Sequence, residues 1–286
     1  MSTAPSFVTP LRYPGGKGRL GAWLAELLEH NGLTGGLYVE PYAGGAGAAM
    51  YLLVNDHVER IAINDIDPVV HAFWWAVLND TERLVDLVIE TPVTMETWHQ
   101  QREVIATAAR HDLTTLGFAT FFLNRTNRSG MIKGGVIGGQ KQAGKYLIDA
   151  RYKKEQLAER IARIGAMRDR IQLFNVDALE LLRCPELDLN NRSLVYLDPP
   201  YYEKGSQLYR NHYKPDDHQE IAQTVIAIKT PWLVTYDNCD EIKALYSEAH
   251  GVEFSLHYST NMLRPKATEA MFYGNIDIHT SPKMRR

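Results

Sequence analysis

The hydrophobic positions of this chain fall into two alternating kinds of run. Short apolar blocks bounded by polar residues, SLVYL at 193–197 above all, suit central strands buried on both faces of a sheet. LYVE at 37–40 is followed by the glycine turn PYAGGAG and the helical run AAMYLLV, and a second strand, RIAIN, leads to Asp65. Asp67 then caps a helix over PVVHAFWWAVLN, with Pro68 at the favoured first position and the Trp74-Trp75 pair read as core. Strand–helix–strand units of this length predict a parallel α/β sheet.

That pattern breaks between Asn79 and Arg170. Helical periodicity runs through TERLVDLVIE, the stretch from Met95 to Arg110, and TLGFATFFLN. A glycine-rich basic run, SGMIKGGVIGGQKQAGKY, follows and reads as a mobile or hairpin loop. A further amphipathic helix spans Tyr152 to about Met167. The α/β pattern resumes with IQLFN, SLVYL, WLVTY, VEFSLHY and AMFYGN. The expectation is an α/β domain of residues 1–79 and 171–286, carrying an inserted, mainly helical domain at 80–170.

Composition changes this picture little. At 286 residues, 45% hydrophobic and 23% charged, the chain is an ordinary globular sequence. It has no apolar run of the roughly 20 residues that a membrane helix needs, and no secretory pattern at the N-terminus. The two cysteines, Cys184 and Cys239, suggest neither a disulfide framework nor a metal motif, and the ten histidines show no HxH or HExxH spacing. A cytoplasmic protein without a metal is expected. Charge changes the picture more. The net charge is −3, yet Asn124 to Arg170 holds twelve Lys/Arg against four Asp/Glu. Such a block inside an acidic protein is a footprint for a polyanion, or else a solvated helix face.

Three stretches carry chemistry. LVYLDPPYY delivers Asp198 at the carboxyl end of a strand, where open α/β sheets place ligands. Pro199 and Pro200 remove two N–H groups and leave carbonyl oxygens to accept, while Tyr201 offers a π-face. Two acceptors and a stacking platform are what an aromatic amine requires. The bland reading is a stiff strand-to-loop turn. In YVEPYAGGAGAA, Glu40 ends a strand, and Gly44, Gly45 and Gly47 let backbone approach a ligand before a helix. Asp65, at the end of the next strand, can accept from ribose hydroxyls, so the turn suits either NAD or S-adenosylmethionine. LRYPGGKGRL brings Tyr13 and Lys17 around the turn at Gly15-Gly16. Gly18 after Lys17 disfavours a Walker phosphate loop.

In this order the three stretches resemble the DNA adenine methylase (Dam) family, over nearly the whole chain. The resemblance implies a Rossmann-like S-adenosylmethionine-dependent methyltransferase sheet with an inserted helical DNA-recognition domain. It implies transfer of a methyl group from S-adenosylmethionine to the N6 amine of adenine in double-stranded DNA, with the base flipped out of the helix. A restriction enzyme or a phage or mobile-element setting would be the context. Tyr13, Lys17, Tyr42, Asp65 and Asp198 would bound the cofactor. Asp177 in FNVDALELL would accept from the cofactor's adenine, or cap the helix that follows it. NRTNRSGMIKGG is similar to the family's NRxxxNGxxR stretch. That likeness and the basic block place Asn124, Arg125, Arg128, Ser129, Lys133, Lys141 and Lys145 at DNA. Arg128 stands where an aromatic is common, Ser129 for Asn and Lys133 for Arg. These departures weaken the expectation of GATC as the site read. DPPY alone also admits cytosine N4 or RNA adenine methylation, and a DNA-binding regulator without turnover is the reading from another class.

Overall fold

The computed structural model describes residues 8–13, 17–202, 213–257 and 266–282. Gly15 and Gly16, and most of the loop that follows Tyr202, lie outside those residues. Among the described residues, seven strands form one sheet: β1 (Leu37–Glu40), β2 (Arg60–Asn64), β3 (Ile171–Phe174), β4 (Ser193–Leu197), β5 (Trp232–Asp237), β6 (His250–His257) and β7 (Lys266–Gly274). Their order is β3-β2-β1-β4-β5-β7-β6. The pairs from β3 through β5 are parallel, and β7 runs antiparallel to both β5 and β6. The apolar blocks are therefore strands as expected, and all five residues of β4 are buried between β1 and β5. The antiparallel closing hairpin departs from an all-parallel sheet. Only residues 258–265 separate its two strands, fewer than the dozen or so that a parallel crossover needs.

Helices cover both faces. On one side lie α1 (Gly21–His30), α2 (Gly47–Val54) and α3 (Pro68–Asn79). On the other lie α8 (Ala178–Leu182), α9 (Pro215–Ala227) and α10 (Asp240–Leu245). The connection from β2 to β3 carries α3, α4 (Thr81–Glu90), α5 (Met95–Ala106), α6 (Leu113–Thr126) and α7 (Lys154–Gly165), which together form the helical insertion. The capping signals hold: the Asp67 side chain accepts from the Val69 N–H, with Pro68 at the first position. Buried residues of α4–α7 join those of α1–α3 in one continuous core. Helix α6 lies close on α3 because Gly117 has no Cβ; one placed there would stand 2.5 Å from the Ala72 carbonyl oxygen. Among the described residues, no helix is long and apolar enough to cross a membrane.

The glycine-rich run after α6 contains turns and one isolated antiparallel bridge, Asn127 to Val136. Trp74 and Trp75 part ways. Trp74 is buried, but its indole N–H donates to the Gly44 carbonyl at 2.9 Å, so it braces the glycine turn; Trp75 is only half-buried.

Candidate active site

Strand β4 ends at the point where the strand order reverses direction, between β1 and β4, and there Asp198 emerges. The Lys17 ammonium lies 2.8 Å from both Asp198 carboxyl oxygens. Thr235, in β5, donates its hydroxyl to Asp198 Oδ1 at 2.8 Å. On the far side of Lys17, Glu269 Oε2 stands at 3.6 Å, and the Tyr201 hydroxyl donates to Glu269 Oε1 at 2.7 Å. The ammonium also sits 5.9 Å from the Tyr201 ring centroid. Lys17 and Glu269 are almost wholly buried, whereas the Asp198 side chain keeps 21% of its exposure. Burial alone would pull the Lys17 pKa down. Asp198, Tyr201 and Glu269 outweigh it and hold that pKa well above the usual lysine value, so the ammonium stays charged. The network thus presents one partly open carboxyl group, locked in place by a buried cation, with an aromatic ring beside it.

The glycine turn adjoins this network. Gly44 takes a φ of 46° and Ala46 one of 45°, which bends the chain sharply from β1 into α2. The room left by the missing side chains of Gly44 and Gly47 is filled from within. A Cβ on Gly44 would lie 2.6 Å from the Tyr13 ring, and one on Gly47 would lie 3.0 Å from Gly18 Cα. These glycines, expected to admit a ligand, seat the N-terminal segment against the sheet; Gly45, beneath Tyr13 Cβ, does the same. Asp65 braces the turn by accepting from the Gly44 and Asp67 N–H groups, both at 2.9 Å. Burial pushes its carboxyl up to about 7 against those two hydrogen bonds. Glu40 Oε1 accepts from the Tyr38 hydroxyl and the Ala49 N–H, and burial raises its carboxyl to about 8. Tyr42 shares a 2.7 Å hydrogen bond with Tyr213. Asp177 caps α8 by accepting from the Leu179 N–H, and its charge acts on Tyr213. Pro199 is buried, and Pro200 and Tyr201 are half-buried, next to Asp198.

The insertion residues separate into two groups. Arg128, Lys133, Lys141 and Lys145 are exposed, and Ser129 sits at a φ of 57° in the turn after α6. Asn124, expected at DNA, is buried instead. Its amide donates to the Arg12 and Gly130 carbonyls and accepts from the Arg12 N–H, so it ties the N-terminal segment to the turn. The physical reason is its place on the inward face of α6, in register with Gly117 and Phe121. Arg125 is half-buried, with Nε donating to the Arg151 carbonyl at 2.9 Å.

Sequence reading missed Thr235, Glu269 and Asn64. Asn64 stitches the sheet rim by donating to the Pro41 and Val176 carbonyls and accepting from the Val176 N–H. A buried glutamate in a closing strand, flanked by apolar residues in TEAMF, was the one available signal for Glu269. Among the described residues, no group of three His, Cys, Asp or Glu side chains is placed to hold a metal.

A family model described as D12 class N6 adenine-specific DNA methyltransferase matches residues 13–270. No curated protein sequence matches the chain. Solved structures to which it is similar include a putative RNA methyltransferase from Pyrococcus horikoshii, 9% identical with a TM-score of 0.43, covering 95% of this chain and 89% of that one. A putative class I S-adenosylmethionine-dependent methyltransferase from Listeria monocytogenes is 12% identical, with a TM-score of 0.40 and coverage of 93% and 62%. The rRNA methyltransferase AviRa from Streptomyces viridochromogenes is 13% identical, with a TM-score of 0.34 and coverage of 87% and 82%.

Proposed function

The chain belongs to the D12 class of N6 adenine-specific DNA methyltransferases, and from that premise we propose that it methylates an adenine flipped out of duplex DNA at a defined sequence, with Asp198 as the residue that receives the amine. The observation that carries this reading is the Lys17–Asp198–Tyr201–Glu269 network at the carboxyl end of β4.

Among the described residues, Asp198 Oδ1 accepts from both Lys17 and Thr235, and Oδ2 from Lys17 alone. Oδ2 therefore retains a lone pair for one hydrogen of the amine, and a carbonyl of the Pro199-Pro200 segment takes the other. Tyr201, fixed through its hydroxyl by Glu269, gives the base a surface to stack on, worth about 1–3 kcal/mol. A carboxylate cannot take a proton from a neutral aromatic amine, so Asp198 orients the amine and receives its proton only after the new N–C bond has made that nitrogen cationic. The rim residues suit S-adenosylmethionine by their chemistry: Asp65 and Asp177 present carboxyl acceptors at the ends of β2 and β3, and Glu40 and Tyr42 close the glycine turn. Bound there, S-adenosylmethionine supplies a methyl group already activated on a sulfonium. The protein's own task is alignment and exclusion of water, which accounts for much of the acceleration in such transfers. Residues 80–170 serve as the DNA-recognition unit, with Arg128 and Lys133 at the bases.

Enzymatic hydrolysis of the methylated DNA to nucleosides, followed by mass spectrometry, tests this reading. N6-methyladenine from wild type and none from Asp198→Ala is the expected result. N4-methylcytosine as the product, or undiminished product from the variant, overturns it.

A further inference from the structure

Four arginines gather where the N-terminal segment meets the insertion. Arg12 is fixed by Asn124, which bonds its backbone on both sides, and its guanidinium donates to the Asn127 carbonyl at 3.2 Å. Arg125 reaches it from the last turn of α6 and is anchored to the Arg151 carbonyl. Arg151 precedes α7, and Arg160 lies on that helix. Backbone carbonyls hold Arg12 and Arg125. Among the described residues, none of the four forms an ion pair with a carboxyl group within 4.0 Å.

The cluster is electrostatically unfavourable as it stands. Burial, and then the charges of Arg12, Arg160 and Arg151, lower the Arg125 pKa to about 9. Arg12 is lowered by burial and by Arg151, and Arg160 by burial, against which its neighbour Glu159 pulls it up. Beside Arg125 lies a second unsatisfied group. The Tyr152 hydroxyl is buried with no hydrogen-bond partner among the described residues, and it and Arg125 perturb each other. A buried donor without an acceptor and several guanidiniums without a carboxylate have one remedy in common: an anion with several oxygens. The outer edge of the cluster shows which anion. Tyr146 and Leu147 are 58% and 46% exposed, and Lys145 and Arg151 lie 5.7 and 5.9 Å from the Tyr146 ring centroid. Cations interleaved with an exposed aromatic ring form a surface suited to nucleic acid. Arg12 also directly precedes Tyr13, whose ring packs on the glycine turn.

We propose that Arg12, Arg125, Arg151 and Arg160, with the Tyr152 hydroxyl, form a binding site for one phosphodiester of the substrate DNA. The inference rests on the DNA-methylating reading given above. The site is independent of base sequence and anchors the backbone while the insertion turn meets the bases. The like-charge repulsion is stored in the free protein and released when the phosphate enters.

Arg160→Gln in the full chain provides the test, because Arg160 is only half-buried and sits on a helix surface. Duplex binding followed by fluorescence anisotropy against salt should weaken about tenfold for all sequences, with the logarithmic salt slope reduced by about one. The free variant should melt about 2–4 °C higher than wild type, and inorganic sulfate should raise the melting temperature of wild type more than that of the variant. In duplexes carrying single neutral methylphosphonates, one position should weaken wild type and leave Arg160→Gln unaffected. Arg151→Gln should behave alike. An unchanged salt slope, or a lowered melting temperature in both variants, overturns the proposal, since a purely structural cluster loses stability with each guanidinium. Wild-type methylation of the same duplexes separates this failure from the larger one. If wild type places no methyl group on DNA, the functional reading falls. If it does and the salt slopes are unmoved, only the phosphate site falls.

Discussion

Lys17 lies between two carboxyl groups of its own chain, whereas Arg12 and Arg125 are held by backbone carbonyls and feel the charges of other arginines, Arg151 among them. The first cluster is buried and the second only in part, and both join the N-terminal segment to a distant part of the sequence. They differ in charge balance. The Lys17 network is nearly compensated within the protein, so its geometry is fixed in advance, as the proposed alignment of an amine with a methyl donor would require. The arginine cluster is uncompensated, so its best state contains something from outside. On the function proposed above, internal pairing would accompany chemistry and missing pairing would accompany binding.

The sharpest way to break the contrast is at Asp198. Asp198→Ala should lower the methyl-transfer rate on the order of 10³-fold or more, with an unchanged circular dichroism spectrum. Near-normal turnover would mean that the paired cluster is only a structural bridge. Lys17→Met comes next, because it leaves Asp198 and Glu269 together without their cation. It should cost about 3 kcal/mol or more in urea unfolding at pH 8. In that variant the folded-state carboxyl pKa values rise above the unfolded ones, so the deficit shrinks as pH falls and the groups take up protons. A deficit equal at pH 5 and pH 8 would dissociate Lys17 from both partners.

Glu40 sharpens the comparison on the paired side. Burial holds its folded carboxyl near 8 against an ordinary 4.5, so its contribution is fully present below pH 4.5 and is lost as pH rises through 8. Glu40→Gln should remove that decline, on the order of 2 kcal/mol, and flatten the melting temperature against pH. A slope identical to wild type would contradict the buried carboxyl. Asp65→Asn should weaken S-adenosylmethionine binding by about 1–2 kcal/mol in calorimetric titration while leaving DNA affinity unchanged. Equal loss for both ligands would place Asp65 in the frame of the turn alone. The smallest effect belongs to the exposed side of the insertion. Arg128→Ala and Lys133→Ala should each remove about 1 kcal/mol of discrimination at one base position, read by sequencing a methylated random DNA pool. An unchanged preferred motif would mean that this turn does not read bases.

The strands and the DPPY segment were legible in the sequence because central parallel strands are buried on both faces. SLVYL reads as an unbroken apolar run for the same reason that all five of its residues are buried. Glu269 was not legible as a partner of Lys17 and Tyr201. Its position depends on the β6–β7 hairpin folding back antiparallel on β5, opposite Asp237, and no local spacing encodes that pairing. The glycines of the PYAGGAG turn were legible as a backbone device. Their missing side chains, however, proved to make room for Tyr13 and Gly18, a contact about thirty residues back in the chain. Asn124 shows a different limit. Its residue type and motif suggested an outward role, while the helical register with Gly117 and Phe121 pointed inward, and the register prevailed.

The meeting of Lys17 with Glu269 has a consequence for synthesis. A ribosome adding about 5–20 residues per second takes roughly 13–50 s to travel from one to the other. Through that interval the nascent polypeptide holds its lysine without the closing glutamate, and Tyr201 emerges before the carboxyl group that will steady its ring. The Lys17 network is therefore completed late, when β7 brings Glu269 to it. An incomplete product released early would carry the arginines of the insertion without the glutamate that completes the Lys17 network.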